Sequence, residues 1–265
     1  MRLKDKVVVV TASTRGIGWA IVEACAKEGA IVYMGARNME RAKERAAALN
    51  AQGYQVRPVY NDASVLESYQ QMIESVIDLS GHIDVLINNF GTSDPKTDLD
   101  IEHTDYHHFI DTIQMNLASV FLPVQAVIPY MRQNKGGSII NISSVGGIIP
   151  DLSRIGYAIS KNAVNYLTKN IAVQVAKDQI RCNAVMPGMT ATEAVTNNMS
   201  EDFTQFFLKH SPIQRMAKPE EIAHAVVYFA SDESAFTTGQ IMAVSGGFGL
   251  ATPLYGDMIH LNKKH

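Results

Sequence analysis

Short apolar runs, several of them β-branched, alternate along the chain with longer stretches whose apolar residues recur at helical spacing. The first run, Val7-Val8-Val9-Val10, is apolar at every position, the pattern of a parallel strand buried on both faces. Strands are predicted near Val7 to Thr11, Ile31 to Gly35, Gln55 to Tyr60, Ile83 to Asn88, Ser138 to Ile142, Ile180 to Val185 and Ile241 to Val244. Helices are predicted over about Gly16 to Glu28, Met39 to Gln52, Ser64 to Ser80, Thr104 to Arg132, Ile155 to Ala176 and Pro219 to Ala230. Gly29 is a stop signal for the first helix. Pro219 with Glu220 and Glu221 starts the last, since ring and carboxylates suit a first turn. Pro123 and Pro129 are expected to kink or end the fourth. Strands separated by helices imply right-handed crossovers, so the chain reads as α/β, one doubly wound parallel sheet of about seven strands with helices on both faces.

With 265 residues, 46% apolar and 18% charged, the chain can bury a full core as a single domain, 1–265. A net charge of -3 and a pI near 6.2 provide no basic field, so no nucleic-acid partner is expected. The longest apolar runs are strand-sized, and the run after Met1 to Lys6 is too short for a signal segment. No membrane partner and a cytoplasmic location are therefore expected. Cys25 and Cys182 lie in separate predicted core elements without zinc-site spacing, and read as small buried hydrophobes. His107 and His108 are helix neighbours that point in different directions and read as a solvated face, so no metal site is expected. Lys263-Lys264-His265 reads as a frayed terminus.

Ligands of an open parallel sheet bind beyond the carboxyl ends of its strands. Those ends carry Asn61-Asp62-Ala63, Asn88-Asn89-Phe90-Gly91, Asn141-Ile142-Ser143-Ser144 and Met186-Pro187-Gly188, each readable alone as ordinary turn chemistry. After the first strand comes Thr11-Ala12-Ser13-Thr14-Arg15-Gly16-Ile17-Gly18, whose glycines allow backbone N–H groups and a helix start to approach a pyrophosphate. Tyr157 and Lys161 are four residues apart in a predicted helix, so phenol and ammonium share one face. A cation within roughly 6 Å lowers a phenol pKa from its ordinary value near 10, which makes the pair a candidate acid-base device.

Together these motifs resemble those of the short-chain dehydrogenases/reductases, from Lys4 to Gly247. The resemblance implies a Rossmann-type fold and a nicotinamide coenzyme. It implies that Ser144, Tyr157 and Lys161 are the catalytic serine, tyrosine and lysine, the serine thirteen positions before the tyrosine. Asn116 would be the helical asparagine that anchors a water chain. Ser144 would hold the substrate oxygen, Tyr157 transfer the proton, and Lys161 lower the tyrosine pKa and hold the ribose. Coenzyme contacts are expected from Thr11, Ser13, Thr14, Arg15, Gly16, Ile17 and Gly18, from Asp62 and Ala63 near the adenine, and from Asn89 and Gly91. Pro187, Gly188, Thr190 and Thr192 would lie by the nicotinamide carboxamide. The chain departs from the family at Ala12, where glycine is usual, and at Phe90, where alanine is common. Enzymes of this architecture that use NAD place an acid after the second strand. Here that stretch is Gly35-Ala36-Arg37-Asn38, and Arg37 with Arg15 suits a 2′-phosphate, so NADP(H) is expected.

The stretch 189–215 carries Met189, Met199, Phe203, Phe206, Phe207 and Leu208, which read equally as a lid over a large apolar substrate or as a plain amphipathic helix. A tail, 248–265, follows the last strand and could reach the pocket. The segments Ile149 to Ile155, Arg181 to Val185 and Gly246 to Pro253 resemble the NADP-dependent 7α type among the bile-acid hydroxysteroid dehydrogenases of gut clostridia. A 12α or 3α hydroxyl stays open, with Arg154 and Lys209 as candidate carboxylate anchors. So does reduction of a 3-oxoacyl carrier protein, an acidic partner for which Lys209, Arg215 and Lys218 are the basic residues on offer. A noncatalytic NADP-binding regulator is a third reading, disfavoured by the complete catalytic set. The resemblance also implies a homotetramer through the fourth and fifth helices and the last strand. Phe121, Leu122, Val164, Leu167 and Ile171 are its candidate contacts, and these could equally be core.

Overall fold

The computed structural model describes residues 1–197, 199–252 and 254–261. Lys263-Lys264-His265 lies outside the described residues, as do Asn198 in the lid stretch and Pro253 in the tail. In chain order the elements are β1 (Val7–Val10), α1 (Gly16–Lys27), β2 (Ile31–Ala36), α2 (Met39–Asn50), β3 (Gln55–Tyr60) and α3 (Glu67–Ser80). They continue with β4 (Val85–Asn88), α4 (Tyr106–Gln133), β5 (Gly137–Ile142), α5 (Ile155–Val175) and β6 (Ile180–Pro187). The short α6 (Glu193–Thr196) and α7 (Glu201–Lys209) precede α8 (Pro219–Ala230), β7 (Ile241–Val244) and α9 (Tyr255–Leu261).

All seven strands are parallel, in the order β3-β2-β1-β4-β5-β6-β7. Val8 of β1 pairs with Val32 of β2 on one side and Val85 of β4 on the other, so the winding reverses between β1 and β4. Every residue of β1 and β4 is buried, because helices cover both faces. On one face Ile21 and Val22 of α1, Leu49 of α2 and Ile222, Val226 and Phe229 of α8 form one core. On the other, Ile73 of α3, Val124 and Val127 of α4 and Val164 and Ile171 of α5 form a second. The fold is thus the doubly wound, Rossmann-type α/β sheet that the alternating pattern predicts.

Pro123 and Pro129 do not end the fourth helix; α4 runs through both, and Pro123 is buried in its packed face. An interior proline costs about 3 kcal/mol, and packing against α3, α5 and the sheet outweighs it. Val164 and Ile171 point into their own subunit's core, while Ile159, Tyr166 and Val173 are the exposed apolar residues of α5. Among the described residues α4 is long and apolar enough to cross a membrane by length and composition alone, a test that core helices also pass, and its Val124, Val127 and Met131 lie in the second core. The stretch 189–215 holds the helices α6 and α7.

Candidate active site

Past β1 the buried Thr11 hydroxyl accepts hydrogen bonds from the backbone N–H of Asn89 at 2.9 Å and of Phe90 at 3.4 Å. Asn89 Nδ2 donates to Ala12 O at 3.0 Å, and Ser13 Oγ donates to Gly35 O at 3.1 Å. The loop of residues 11–18 is thereby stitched to β2 and to the loop after β4. Within it Gly16 takes a left-handed φ of +54°. A Cβ on Gly18 would lie 2.5 Å from both Ala12 O and Asn89 Nδ2, so only glycine lets α1 begin this close to the loop. Arg15, the N-cap residue of α1, provides no side-chain cap, and the first turn holds no acid. The opening N–H groups of α1 and its dipole therefore remain available to an external anion. That combination fits a dinucleotide pyrophosphate, with Thr14 and Ile17 half-buried beside it.

Farther out, Asp62 Oδ1 accepts from Ser64 N at 3.0 Å and Ser64 Oγ at 2.8 Å. These bonds chiefly, with help from the Arg37 charge, hold its carboxyl below the usual range. Ala63 follows, half-exposed, and Arg37 and Arg15 are both exposed. The Asn38 side chain is spent as the cap of α2, accepting from Arg41 N at 3.0 Å. On the far side of the cleft Pro187 ends β6, Gly188 N donates to Val244 O at 3.0 Å, and the buried Thr190 donates to Gly188 O at 3.0 Å. Thr192 caps α6 through Val195 N at 3.3 Å. Its Cγ2 lies 3.3 Å from where a Gly16 Cβ would stand, so the two sides of the cleft meet there.

Ser144, Tyr157 and Lys161 come together beside this cleft. Lys161 is 3% exposed, and its Nζ donates to Ile142 O at 2.9 Å and lies 5.7 Å from the centre of the Tyr157 ring. Burial lowers its pKa to about 8. A Cβ on Gly91 would sit 2.7 Å from that ammonium, which places the loop after β4 directly over it. Ser144 Oγ accepts from Gly146 N at 3.2 Å and also bonds the Tyr157 phenol. The tyrosine pKa stands above its ordinary value rather than below it, because burial raises it. The groups that oppose burial are the Ser144 hydroxyl and the charge of Arg154, whose guanidinium carbon is 5.9 Å from the ring centre. The Lys161 ammonium instead spends a proton on the Ile142 carbonyl. Tyr157 as a whole residue is half-buried.

Asn116 is fully buried and fully used. Its Oδ1 accepts from Thr92 N at 2.8 Å, and its Nδ2 donates to Thr92 O and to Ser160 Oγ, both at 2.9 Å. Sequence reasoning missed Asp98, a carboxyl 2% exposed that accepts from the backbone N–H of Gly156 at 2.8 Å and of Tyr157 at 3.0 Å. The one signal for it is an acid in the loop after β4, which a turn explains equally well. In the stretch 189–215 Phe207 of α7 stacks on Phe248 of the tail, and Lys209 pairs with Asp257 at 2.5 Å. A cavity of about 700 Å³ opens at the opposite, amino ends of the strands beside Lys6, Gly137 and Ile180, away from all these side chains.

A family model described as Enoyl-(Acyl carrier protein) reductase matches residues 11–249. The chain is 48% identical over 256 residues to a 7α-hydroxysteroid dehydrogenase of Clostridium sardiniense, covering 97% of this chain and 98% of that protein. It is 47% identical over 259 residues to a 7α-hydroxysteroid dehydrogenase of Paraclostridium sordellii, covering 97% of each. A solved 7α-hydroxysteroid dehydrogenase complexed with NADH and 7-oxo glycochenodeoxycholic acid superposes with a TM-score of 0.88 at 29% identity, over 93% of this chain and 95% of that one. With the loop after β1, the Ser144, Tyr157 and Lys161 cluster and these likenesses, the chain belongs to the short-chain dehydrogenase/reductase family.

Proposed function

We propose that the chain is an NADP(H)-dependent 7α-hydroxysteroid dehydrogenase that interconverts the 7α-hydroxyl and 7-ketone of a bile acid. The observation that carries this reading is near-full-length identity of 48% and 47% to two such dehydrogenases, in a chain that assembles Ser144, Tyr157 and Lys161 at its cleft. When bound, the nicotinamide supplies the hydride acceptor or donor. The chain's own residues handle the proton. Ser144 holds the substrate oxygen by its hydroxyl, and Tyr157, kept protonated by burial, gives its phenolic proton to a ketone oxygen or takes one back from the alcohol. Arg154 and Ser144 favour the phenolate left behind, so transfer is reversible. With its pKa near 8, Lys161 is poised to exchange a proton near working pH.

The coenzyme preference is supported by the absence of an acid after β2 and by exposed Arg15 and Arg37, which match a 2′-phosphate in charge and shape. The apolar residues of the lid stretch and Phe248 suit an amphipathic steroid. A carrier-protein substrate is less well matched, because Lys209 and Arg215 are already neutralised by Asp257 and Glu221. Homotetramer formation is supported by the exposed apolar stripe Ile159, Tyr166 and Val173 on α5, by Phe121 on α4, and by the wholly exposed Phe236 before β7. A cytoplasmic location, with neither membrane nor nucleic acid as partner, is supported by two free buried cysteines and the lack of net positive charge.

Bile acids hydroxylated singly at carbon 3, 7 or 12, assayed with NADP and with NAD, test the reading. Turnover confined to the 7α-hydroxyl and abolished in Tyr157→Phe, with NADP(H) affinity retained, is the expected result. Turnover on another position, or on 3-oxoacyl substrates alone, overturns it.

A further inference from the structure

We propose that Asp98 is the positioning residue for Tyr157, holding the proton donor in register with the loop 91–99 that borders the cleft. This rests on Tyr157 being the proton donor.

The start of α5 has no cap of its own. Arg154, at its N-cap, is left-handed (φ 59°, ψ 46°) and offers no side-chain acceptor, and the first turn contains no acid. Uncapped N–H groups in a buried first turn are costly. Two residues of the distant loop take them all. Leu99 O accepts from Ile155 N at 3.3 Å, Asp98 Oδ1 from Gly156 N at 2.8 Å and Asp98 Oδ2 from Tyr157 N at 3.0 Å, while Asp98 O accepts from Arg154 N at 3.0 Å. Ser93 Oγ, from the same loop, donates to Asp98 Oδ2 at 3.0 Å.

The other end of the Tyr157 peptide is traced back to the same place. Ser160 Oγ donates to Tyr157 O at 2.7 Å, Asn116 Nδ2 donates to Ser160 Oγ at 2.9 Å, and Asn116 bonds Thr92 through both of its amide atoms. The backbone N and O of one residue are thus tied by separate routes to the adjacent Thr92 and Ser93. A carboxylate buried to this degree carries a heavy desolvation cost, and a serine or asparagine would suffice for capping alone. What the charge adds is a strong, two-oxygen grip on the turn that carries the donor, and a negative potential offsetting Arg154 and Lys161 around the phenol.

Displacement of a reacting group by about 1 Å costs about a hundredfold in rate. The test compares Asp98→Asn, Asp98→Ala and Tyr157→Phe for kcat, KM, coenzyme dissociation by fluorescence titration, thermal melting, and the pH profile of ketone reduction. Expected are a loss of kcat of about tenfold in Asp98→Asn and about a hundredfold in Asp98→Ala, with coenzyme affinity unchanged. The alkaline limb of Asp98→Asn should move to lower pH, because loss of a negative charge near Tyr157, Lys161 and Arg154 eases phenol ionisation. If Asp98→Ala does not fold, Asp98→Asn alone decides. Wild-type kcat and pH profile in Asp98→Asn, or a kcat loss matched by lost coenzyme affinity without a shifted limb, overturns the proposal. Retained turnover in Tyr157→Phe would instead overturn the assignment of the proton donor.

Discussion

Phe207 of α7 stacks on Phe248 of the tail, ring centres 4.2 Å apart and planes 18° from parallel. Helix α7 and the tail are therefore joined, and tied a second time by Lys209 and Asp257. An aromatic pair contributes about 0.5–1.5 kcal/mol beyond its buried area. Phe248→Ala is expected to raise KM for a bile acid about three- to tenfold and leave the dissociation constant of NADP(H) unchanged, read by steady-state kinetics and fluorescence titration. A KM equal to wild type would detach the tail from the pocket.

Arg37 is exposed at the end of β2, and its charge reaches Asp62. Charge-assisted hydrogen bonds contribute about 1.5–3 kcal/mol, so Arg37→Ala should lower kcat/KM for NADP about 10- to 100-fold. The value for NAD should hardly move. Equal losses with both coenzymes would place the arginine elsewhere in the mechanism.

Lys161 carries a pKa lowered by burial from 10.5 to about 8. Between those values the unfolded chain binds more protons at this site than the folded one, so stability rises with pH. Tyr157 acts oppositely above its ordinary value of 10, where the folded state holds a proton that the unfolded state has lost. The clean window is therefore pH 8 to 10. Across it, urea denaturation of the wild type should gain on the order of 2 kcal/mol relative to Lys161→Met. A constant difference across the window would mean that the ammonium is not desolvated.

Ala12 sits at φ +49°, and Gly18 faces a gap with no room for a methyl group. Left-handed backbone costs a non-glycine residue about 1–2 kcal/mol. Ala12→Gly should stabilise the chain by about 0.5–1 kcal/mol without weakening NADP(H) binding. Gly18→Ala forces a carbon against Ala12 O and Asn89 Nδ2 and should cost most of the coenzyme affinity. Thermal melting with and without NADP reads both signs.

The strands and the cleft were legible because their signals are local. Runs such as Val7-Val8-Val9-Val10 announce a strand covered on both faces, and polar residues at strand ends mark the crevice. Phe203, Phe206 and Phe207 suit a helix and a lid alike, and only the stacking on Phe248 joins the two. Asp98 was hidden because its partners lie 58 and 59 residues away, beyond any capping pattern. Helical spacing placed Lys161 near Tyr157 but did not reveal the Ile142 carbonyl that also accepts a hydrogen bond from its ammonium. The orientation of α5 was ambiguous for a related reason. Val164 and Tyr166 are two residues apart and both apolar in body, yet one is core and the other surface.

Helix α4 is a single rod of 28 residues, carrying the buried Asn116 and, five positions on, the exposed Phe121. Rigid coupling over that short span makes its outer face pleiotropic. Any remodelling that tilts the helix to improve contact outside is inherited by the amide that grips Thr92, and through Ser160 by Tyr157. Surface evolution on this helix is consequently constrained by chemistry that it never touches.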